Sequence, residues 1–195
     1  MRTAQITRET TETQISVSID LDGAGNYDID TGVGFFDHML THVAKHGLFD
    51  LTVKATGDLH IDAHHTVEDV GIVLGQALAQ AVGDKKGLVR YGRGMCPMDE
   101  ALVSALVDFG GRAYLVYEVE LPTAKVGDFD TELVQEFFLA LTSNAGMAVH
   151  LVQQSGRNTH HILEGLFKSF GRALDESTQI DPRKAGAVPS TKGTL

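Results

Sequence analysis

Two copies of the motif His-His-x-x-Glu hold the residues of this sequence that are best suited to bind metal ions. The first copy begins at His64 and the second at His160. If each copy opens a helix, its first histidine and its glutamate lie four residues apart on one face and can bind one ion. The second histidine points about 100° around the helix, where it can reach a second ion. The repeat therefore predicts a two-metal site with six ligands, namely His64, His65, Glu68, His160, His161 and Glu164.

The donor atoms of this predicted site are imidazole nitrogens and carboxylate oxygens. The chain has a single cysteine, Cys96, so a thiolate-rich zinc or iron–sulfur site is disfavoured, and manganese, iron or zinc fits better. A single cysteine also excludes an internal disulfide and favours a reducing compartment.

Charge and hydropathy limit the possible partners. The 195 residues carry a formal net charge of -10, which argues against binding to nucleic acid or to an anionic membrane. No apolar stretch approaches the roughly 20 residues that span a bilayer, and the first residues do not resemble a signal peptide. We therefore expect a cytoplasmic protein, in which an anionic substrate would be bound by a few locally placed cations.

Hydrophobic periodicity predicts the elements that position the first motif. Strands are predicted over residues 2–8, 13–21, 27–30 and 48–55, and helices over residues 34–46 and 66–82. Residues 22–26 form a predicted turn, so we expect the first three strands to make a β-meander. The first helix carries His38, His42 and His46 along one stripe.

The second half repeats this order of elements. Strands are predicted over residues 92–98, 102–109, 113–121 and 147–154, and helices over residues 130–145 and 159–176. Gly110-Gly111 is the predicted hairpin turn between the second and third of these strands. Aligning the halves places Glu136 near the position of His38, which gives each half a third candidate ligand.

These patterns together predict an α+β fold. The two motifs start 96 positions apart, at residues 64 and 160, which is close to half the chain length. We expect an internally duplicated sheet-plus-helices unit with half-repeats at 1–90 and 91–180. No linker separates the halves, so they are expected to pack as one unit, followed by an irregular tail at 181–195.

Several segments, taken in order, resemble the imidazoleglycerol-phosphate dehydratase family of histidine biosynthesis. Besides the two motifs they are Thr11-Glu12-Thr13, Phe36-Asp37-His38-Met39-Leu40, His46-Gly47-Leu48-Phe49-Asp50, Asp99-Glu100-Ala101-Leu102 and Pro189-Ser190-Thr191-Lys192-Gly193. The resemblance covers nearly the whole chain. It implies a duplicated fold of the ribosomal protein S5 domain 2-like kind. It also implies a closed homo-oligomeric shell of about 24 subunits, with active sites between neighbours.

The resemblance also implies two Mn²⁺ ions in each active site. One ion would be bound by His64, Glu68, Glu136 and His160, and the other by His38, His65, His161 and Glu164. Spacing alone leaves this division open, because Glu164 lies four residues from His160 and three from His161. A glutamate at position 136 is a competent manganese ligand.

The reaction implied by the resemblance converts D-erythro-imidazole-glycerol phosphate to imidazole-acetol phosphate and water. The carbon that loses its proton has no neighbouring carbonyl, but the imidazole ring can act as the electron sink. Two ions on the ring nitrogens would favour imidazolate, which could expel the hydroxyl through a diazafulvene-like intermediate. Glu12 is the implied base for the carbon proton.

The family match also nominates residues that would bind the substrate, with the tail folding over the phosphate as an ordered arm. They are Glu12, His38, His42, His46, Arg90, Arg112, Lys168, Ser190, Thr191 and Lys192. His42 and His46 could equally be histidines satisfied within the core, and Asp99 and Glu100 could support the site or be polar turn residues.

Two other functions would use the same metal ligands. A dinuclear metallohydrolase would leave Glu12 and the Ser190-Thr191-Lys192 arm without a role. A metal-storage or metal-sensing shell would leave the arginines and lysines beyond the ligand set unexplained.

Overall fold

The computed structural model describes residues 2–195 and contains two four-stranded β-sheets and four α-helices. The elements of the first half are β1 (Thr3–Glu9), β2 (Thr13–Asp20), β3 (Tyr27–Asp30), α1 (Gly34–Gly47), β4 (Asp50–Gly57) and α2 (His64–Val82). Those of the second half are β5 (Tyr91–Met98), β6 (Ala101–Asp108), β7 (Tyr114–Glu118), β8 (Lys125–Val126), β9 (Phe129–Asp130), α3 (Leu133–Ala145), β10 (Ala148–Ser155) and α4 (Thr159–Thr178). A 3-10 turn at Pro182–Lys184 lies in the tail.

The strand order corrects two predictions. The sheets have the orders β1-β2-β4-β3 and β5-β6-β10-β7. The predicted β-meander is wrong, because β3 pairs in parallel with β4 and does not pair with β2. The predicted hairpin turn at Gly110-Gly111 is wrong for the same reason, since β7 pairs in parallel with β10. In each half a helix connects the two parallel strands, and the strand after the helix takes the place beside β2 or β6.

The helices join the two sheets. Helix α2 packs on β1 and β2 and contacts α3, whereas α4 packs on β5 and β6 and contacts α1. Fully buried phenylalanines fill the space between the helices: Phe36 of α1, Phe137 and Phe138 of α3, and Phe167 and Phe170 of α4. Neighbouring rings, such as those of Phe138 and Phe170, have centroids 5.0 Å apart. The core is therefore continuous across the middle of the chain.

Most other predicted helices and strands agree with the structure to within two residues, with α2 beginning at His64, two residues earlier than predicted. Helix α3 begins at Leu133, three residues later than predicted, because residue 130 belongs to β9. Strand β7 ends at Glu118, before the predicted end at residue 121, and the short strands β8 and β9 were not predicted. No helix within residues 2–195 is long and apolar enough to cross a membrane.

Strand β5 lies directly on the backbone of α4 because it has glycine at two inward positions. A Cβ atom at Gly94 would overlap the carbonyl of Ser169, and one at Gly92 would overlap the carbonyl of Ala173. These obstacles are helix backbone, which cannot move aside as a flexible side chain can. The close approach fixes the position of α4, the helix that carries the second motif.

We predict that Gly94→Ala lowers the free energy of unfolding by about 1–3 kcal/mol, because the added methyl group overpacks the contact between β5 and α4. Gly34→Ala is the matched control, since a Cβ there meets nothing within 4 Å. Urea unfolding at fixed protein concentration measures both. Equal stabilities for the two variants would contradict the proposed backbone contact.

Candidate functional site

The N-terminal ends of α2 and α4 carry the two His-His-x-x-Glu motifs. In α4, Asn158 caps the helix, and its side-chain oxygen accepts from the backbone N–H groups of His160 at 3.0 Å and His161 at 3.3 Å. At α2, the Asp62 side chain accepts from the N–H of His64 at 2.8 Å. These bonds satisfy amide groups that have no partner inside the helix. Both histidine pairs therefore lie in the first helical turn.

One group of potential metal ligands joins α1 to α4. The Nε2 atoms of His38 and His160 lie 3.2 Å and 3.1 Å from Oε2 of Glu164. The three ligand atoms all lie within 4.8 Å of one another. The ring of Phe35 packs edge-on against His160, with the centroids 5.4 Å apart. This geometry brings two imidazoles and a carboxylate close enough to share one ion.

The Glu164 carboxylate is held in its ionised form by its neighbours. Burial raises the pKa of Glu164, but hydrogen bonds from Lys168 and His160 outweigh it and lower the pKa to about 2. Lys168 binds the other carboxylate oxygen, Oε1. The ammonium group of Lys168 thus lies beside the Glu164 carboxylate, and a bound metal cation would share this carboxylate with it.

The histidine stripe predicted on α1 is present. The ring centroids of His38 and His42 are 4.4 Å apart, and those of His42 and His46 are 5.8 Å apart. The Nε2 atom of His42 lies 3.5 Å from Oε1 of Glu164. Burial lowers the pKa of His42 to about 4, and burial also lowers the pKa of His46. His42 is thus a neutral imidazole beside Glu164 at neutral pH.

A second group lies at the start of α2 and contains Glu12, Asp58 and His65. The Nδ1 atom of His65 is 3.0 Å from Oδ2 of Asp58 and 3.8 Å from Oε2 of Glu12. The backbone N–H of Asp58 also donates to the carbonyl of Glu12 at 3.1 Å. The loop after β4 therefore fixes the turn that carries Glu12, whose side chain is 54% exposed.

An ion pair between a partly exposed arginine and a buried carboxylate attaches the Glu12 turn to α2. Asp69 of α2 is buried, and its Oδ1 accepts from Nε of Arg8 at 3.0 Å. Its Oδ2 accepts from the hydroxyl of Thr13. Arg8 and Thr13 flank Glu12, so the pair holds both ends of the turn against the helix.

His161, the second histidine of the other motif, is bound by Glu100. Its Nδ1 lies 2.8 Å from Oε2 of Glu100, and its Nε2 lies 3.8 Å from Oδ2 of Asp99. Hydrogen bonds from His161 and from the backbone N–H groups of Arg157 and Asn158 lower the pKa of Glu100 to about 2. Glu100 therefore contacts a motif histidine and is more than a polar turn residue.

The remaining proposed ligands are distributed differently from the two sets that the family resemblance implies. The Nε2 atom of His64 lies 3.8 Å from Oε2 of Glu68. Helices α2 and α3 pack side by side, with Gly71 against the carbonyl of Phe137 and Gly75 against that of Leu141, so Glu136 lies at about the level of Glu68. Within the described chain, however, His160 groups with His38 and Glu164. The division into two ligand sets stays a prediction.

The residues nominated for the phosphate lie around a separate cavity of about 700 Å³. Its lining includes Arg90, Arg112, Ser190, Thr191 and Lys192. Lys168 is not part of this group, because it lies on α4 beside Glu164.

The tail that contributes to this cavity is anchored to residues 87–90. Lys184 Nζ donates to the carbonyls of Leu88 and Val89 at 2.6 Å and 3.0 Å. Arg90 donates to the carbonyl of Pro189 at 2.8 Å and forms a two-point ion pair with Asp108, with distances of 2.7 Å and 3.1 Å. Arg90 therefore joins the end of β6 to the tail.

Within one chain, this cavity is far from both histidine motifs. His161 and Glu100 lie at the start of β6, whereas Asp108 and Gly110 lie at its other end. Eight residues of strand separate the two ends by about 23 Å, at roughly 3.3 Å per residue. Helix α2 separates His65 from Val82 by about 26 Å, at roughly 1.5 Å per residue. The end of α2 lies near the cavity, because Lys85, three residues after Val82, lies beside Gly111, between the lining residues Gly110 and Arg112. Both motifs thus lie at the opposite end of the molecule from the cavity.

Sequence reasoning missed Asp58 and Asp69. Asp69 occupies an inward position of α2 between Thr66 and Val73, where a carboxylate needs a buried partner. An acidic residue on the inward face of a predicted helix could therefore have been recognised from the sequence. Asp58 could not, because its contact with His65 depends on how the loop after β4 folds back on α2.

Comparisons with known proteins agree with the sequence resemblance. The family model described as imidazoleglycerol-phosphate dehydratase matches residues 31–174. The imidazoleglycerol-phosphate dehydratases of Dinoroseobacter shibae and Acidiphilium cryptum are 63% and 59% identical to this chain. The alignments cover all of this chain in both cases, and 100% and 99% of the relatives.

Two solved structures are also similar. The imidazoleglycerol-phosphate dehydratase of Staphylococcus aureus has 44% identity and a TM-score of 0.83, over 91% of this chain and 99% of that one. The enzyme from Pyrococcus furiosus has 37% identity and a TM-score of 0.85, over 97% and 100%.

We predict that Arg90→Lys speeds tryptic cleavage of the tail at Lys192 at least about fivefold, because a lysine cannot maintain the bonds to both Asp108 and Pro189. Losing one charge-assisted hydrogen bond costs about 1–3 kcal/mol. Arg112→Lys is the control: Arg112 lines the same cavity, but within residues 2–195 it makes no hydrogen bond to the tail. Mass spectrometry follows the cleavage, and equal rates in the two variants would rule out Arg90 as the anchor.

Proposed function

This chain belongs to the imidazoleglycerol-phosphate dehydratase family, and we propose that it dehydrates D-erythro-imidazole-glycerol phosphate using two Mn²⁺ ions bound by its histidine motifs. The family match supports a dehydratase of histidine biosynthesis and disfavours the metallohydrolase and metal-storage alternatives. The observation that carries the proposal is the group formed by His38, His160 and Glu164. A biosynthetic role and a single cysteine favour the cytoplasm as its location.

The residues present fit manganese. Imidazole and carboxylate donors without thiolate suit this ion, and the buried thiol of Cys96 belongs to neither ligand group. We assign His38, His64, His65, Glu68, Glu136, His160, His161 and Glu164 as ligands. When bound, two such ions would act as Lewis acids that draw charge from the substrate ring and favour its imidazolate form.

Glu12 is the group we assign to remove the carbon proton. Its side chain is half exposed, and its Oε2 lies 3.8 Å from Nδ1 of His65, so a carboxylate that solvent and substrate can reach lies beside a motif histidine. The Arg8–Asp69 pair and the backbone bond from Asp58 hold its turn in place. A base must be fixed in this way to meet one particular carbon–hydrogen bond.

The phosphate would bind in the tail cavity. Arg90 is already neutralised by Asp108, so its main role there is to hold the tail. Arg112 and Lys192 have no ion-pair partner within residues 2–195, and they line the cavity together with the hydroxyls of Ser190 and Thr191. Two cations and two hydroxyls around one cavity suit a dianionic phosphate.

One active site would need more than one copy of the chain. The substrate is roughly 10 Å long, since about eight bonds of roughly 1.5 Å separate its ring nitrogen from its phosphate oxygens. The cavity lies more than twice that distance from His65 and from His161 in the same chain. A neighbouring copy must therefore bring its cavity to these motifs.

The outer surfaces of the two sheets also support assembly. The outward positions of β1 and β2 are polar, for example Thr3, Gln5 and Ser16. The outward positions of the second sheet include four apolar side chains that are 49% to 66% exposed: Tyr91, Met95, Leu106 and Tyr114. Exposed apolar side chains on a sheet face favour contact with another copy. The shared strand order of the sheets supports a duplicated unit, and we propose that copies form a closed shell of about 24 subunits.

We predict that metal-stripped protein supplied with Mn²⁺ converts imidazole-glycerol phosphate to its enol-ketone product, which absorbance can follow. Glu12→Gln should lower kcat by about 100-fold or more while bound manganese stays unchanged, because only the base is lost. Glu9→Gln, at an exposed acid three residues away, should keep full activity. If the unaltered chain binds manganese but forms no product, the dehydratase proposal is rejected.

We further predict that a chain ending at residue 188 has a strongly raised KM, because it lacks Ser190, Thr191 and Lys192. Co-expressed in equal amounts with Glu12→Gln chains, it should recover about a quarter of normal activity at low substrate concentration. Random mixing gives that fraction of sites an intact Glu12 and an intact tail from different copies. Unchanged kinetics of the truncated chain would reject the tail assignment. No recovery in mixed oligomers would reject shared sites.

A further inference from the structure

The second histidine of each motif makes the same kind of contact with a carboxylate. His65 presents Nδ1 to Asp58 at 3.0 Å, and His161 presents Nδ1 to Glu100 at 2.8 Å. The first histidines differ, because His64 and His160 present Nε2 to the glutamate one turn later in their own helix. The Nδ1 contact is thus specific to the second position of the motif.

The two carboxylates are held in place by different surroundings. Asp58 lies in the loop after β4, and its side chain is 13% exposed. Its Oδ1 is buried without a hydrogen-bond partner in the described part of the chain. Its Oδ2 contacts Nδ1 of His65, so the Asp58 carboxylate can orient the His65 ring. Glu100 lies between β5 and β6. Its Oε1 accepts from the backbone N–H groups of Arg157 at 3.1 Å and Asn158 at 2.8 Å, which leaves Oε2 for His161.

The two carboxylates do not occupy equivalent positions in the two halves of the chain, so a duplicated sequence does not explain why both contact Nδ1 of a histidine. Asp58 follows the strand that precedes α2, whereas Glu100 precedes β6, which is a different place in the order of elements. Two unrelated positions therefore supply the same contact to equivalent histidines. What the two places share is a hydrogen-bond acceptor at Nδ1 of the histidine, whereas the position of the carboxylate in the chain differs.

The chemistry of imidazole explains such a requirement. A neutral imidazole carries its proton on one nitrogen, and the other nitrogen has the lone pair that binds a metal. An ionised carboxylate can accept a hydrogen bond but cannot donate one. A carboxylate beside Nδ1 therefore favours the form of the ring in which Nδ1 carries the proton. The lone pair is then on Nε2, which points away from the carboxylate.

On the premise of the proposed manganese-dependent function, we propose that Asp58 and Glu100 are positioning residues. They hold His65 and His161 as Nδ1-protonated imidazoles, so that each ring offers the lone pair of Nε2 to a metal ion. The two carboxylates thus prepare both rings before metal arrives.

Glu100→Gln tests the proposal most directly. Its amide oxygen can still accept from Arg157 and Asn158, which leaves the NH₂ group facing His161 Nδ1. That donor should move the ring proton to Nε2. Asp58→Ala is the second variant, because it removes the acceptor outright and allows a conclusion if Glu100→Gln folds poorly. Asp50→Ala is the control: Asp50 accepts from the N–H groups of Ala24 and Asn26 at 2.8 Å and 2.9 Å but contacts no imidazole.

Two measurements on metal-stripped protein decide the outcome. Nitrogen NMR of ¹⁵N-histidine-labelled protein should show Nδ1-protonated rings for His65 and His161, with the ring of His161 switched to the other tautomer in Glu100→Gln. Titration with Mn²⁺ alone should show about 10–100-fold weaker manganese binding in both test variants. Asp50→Ala should bind manganese normally, even if its thermal stability falls.

The result that would overturn the proposal is Nε2-protonated rings in the unaltered protein, or normal manganese affinity in both test variants. If the unaltered protein itself takes up no manganese, the proposed function fails. The tautomer measurement contains no metal and still decides the assignment of Asp58 and Glu100.

Discussion

The carboxylate of Glu164 is the interaction on which the geometry of the candidate site depends. It lies between α1 and α4 and contacts His38, His160 and Lys168. A largely buried carboxylate is costly unless such partners surround it. His160 and Lys168 lie on α4 with Glu164, so the contact with His38 is the one that joins α4 to α1. Gly92 and Gly94 then fix α4 against its sheet. The imidazoles are thereby placed by backbone packing as well as by their own hydrogen bonds.

The sequence predicted which segments form helices and strands, but it did not predict how all of the strands pair. Alternating polarity identifies a half-buried strand because one face meets the core, and it contains no information about the neighbouring strand. The strands β3 and β7 lie next to β4 and β10, and this depends on how the intervening helices return the chain to the sheet. The boundaries were accurate where a cap marks them, as Asn158 does at α4.

The candidate site was predictable where its residues form a local pattern. The two His-His-x-x-Glu motifs and the stripe of His38, His42 and His46 follow from helical spacing alone. The cavity around Arg112 and Lys192 could be anticipated only through the family resemblance, because isolated cations in an acidic chain look like surface charges. Asp58 became visible only in the folded chain, since its role depends on a contact between a loop and a helix.

The separation between the tail cavity and the histidine motifs has a consequence for inhibition. In the proposed arrangement, where one active site combines the motifs of one copy with the tail cavity of another, a compound with an imidazole-like ring at one end and a phosphate-like anion at the other would contact two copies at once. Such a ligand would bind the assembled form more tightly than free subunits, so by mass action it would stabilise the contact between copies. A tight inhibitor of this kind would then oppose dissociation of the copies as well as turnover.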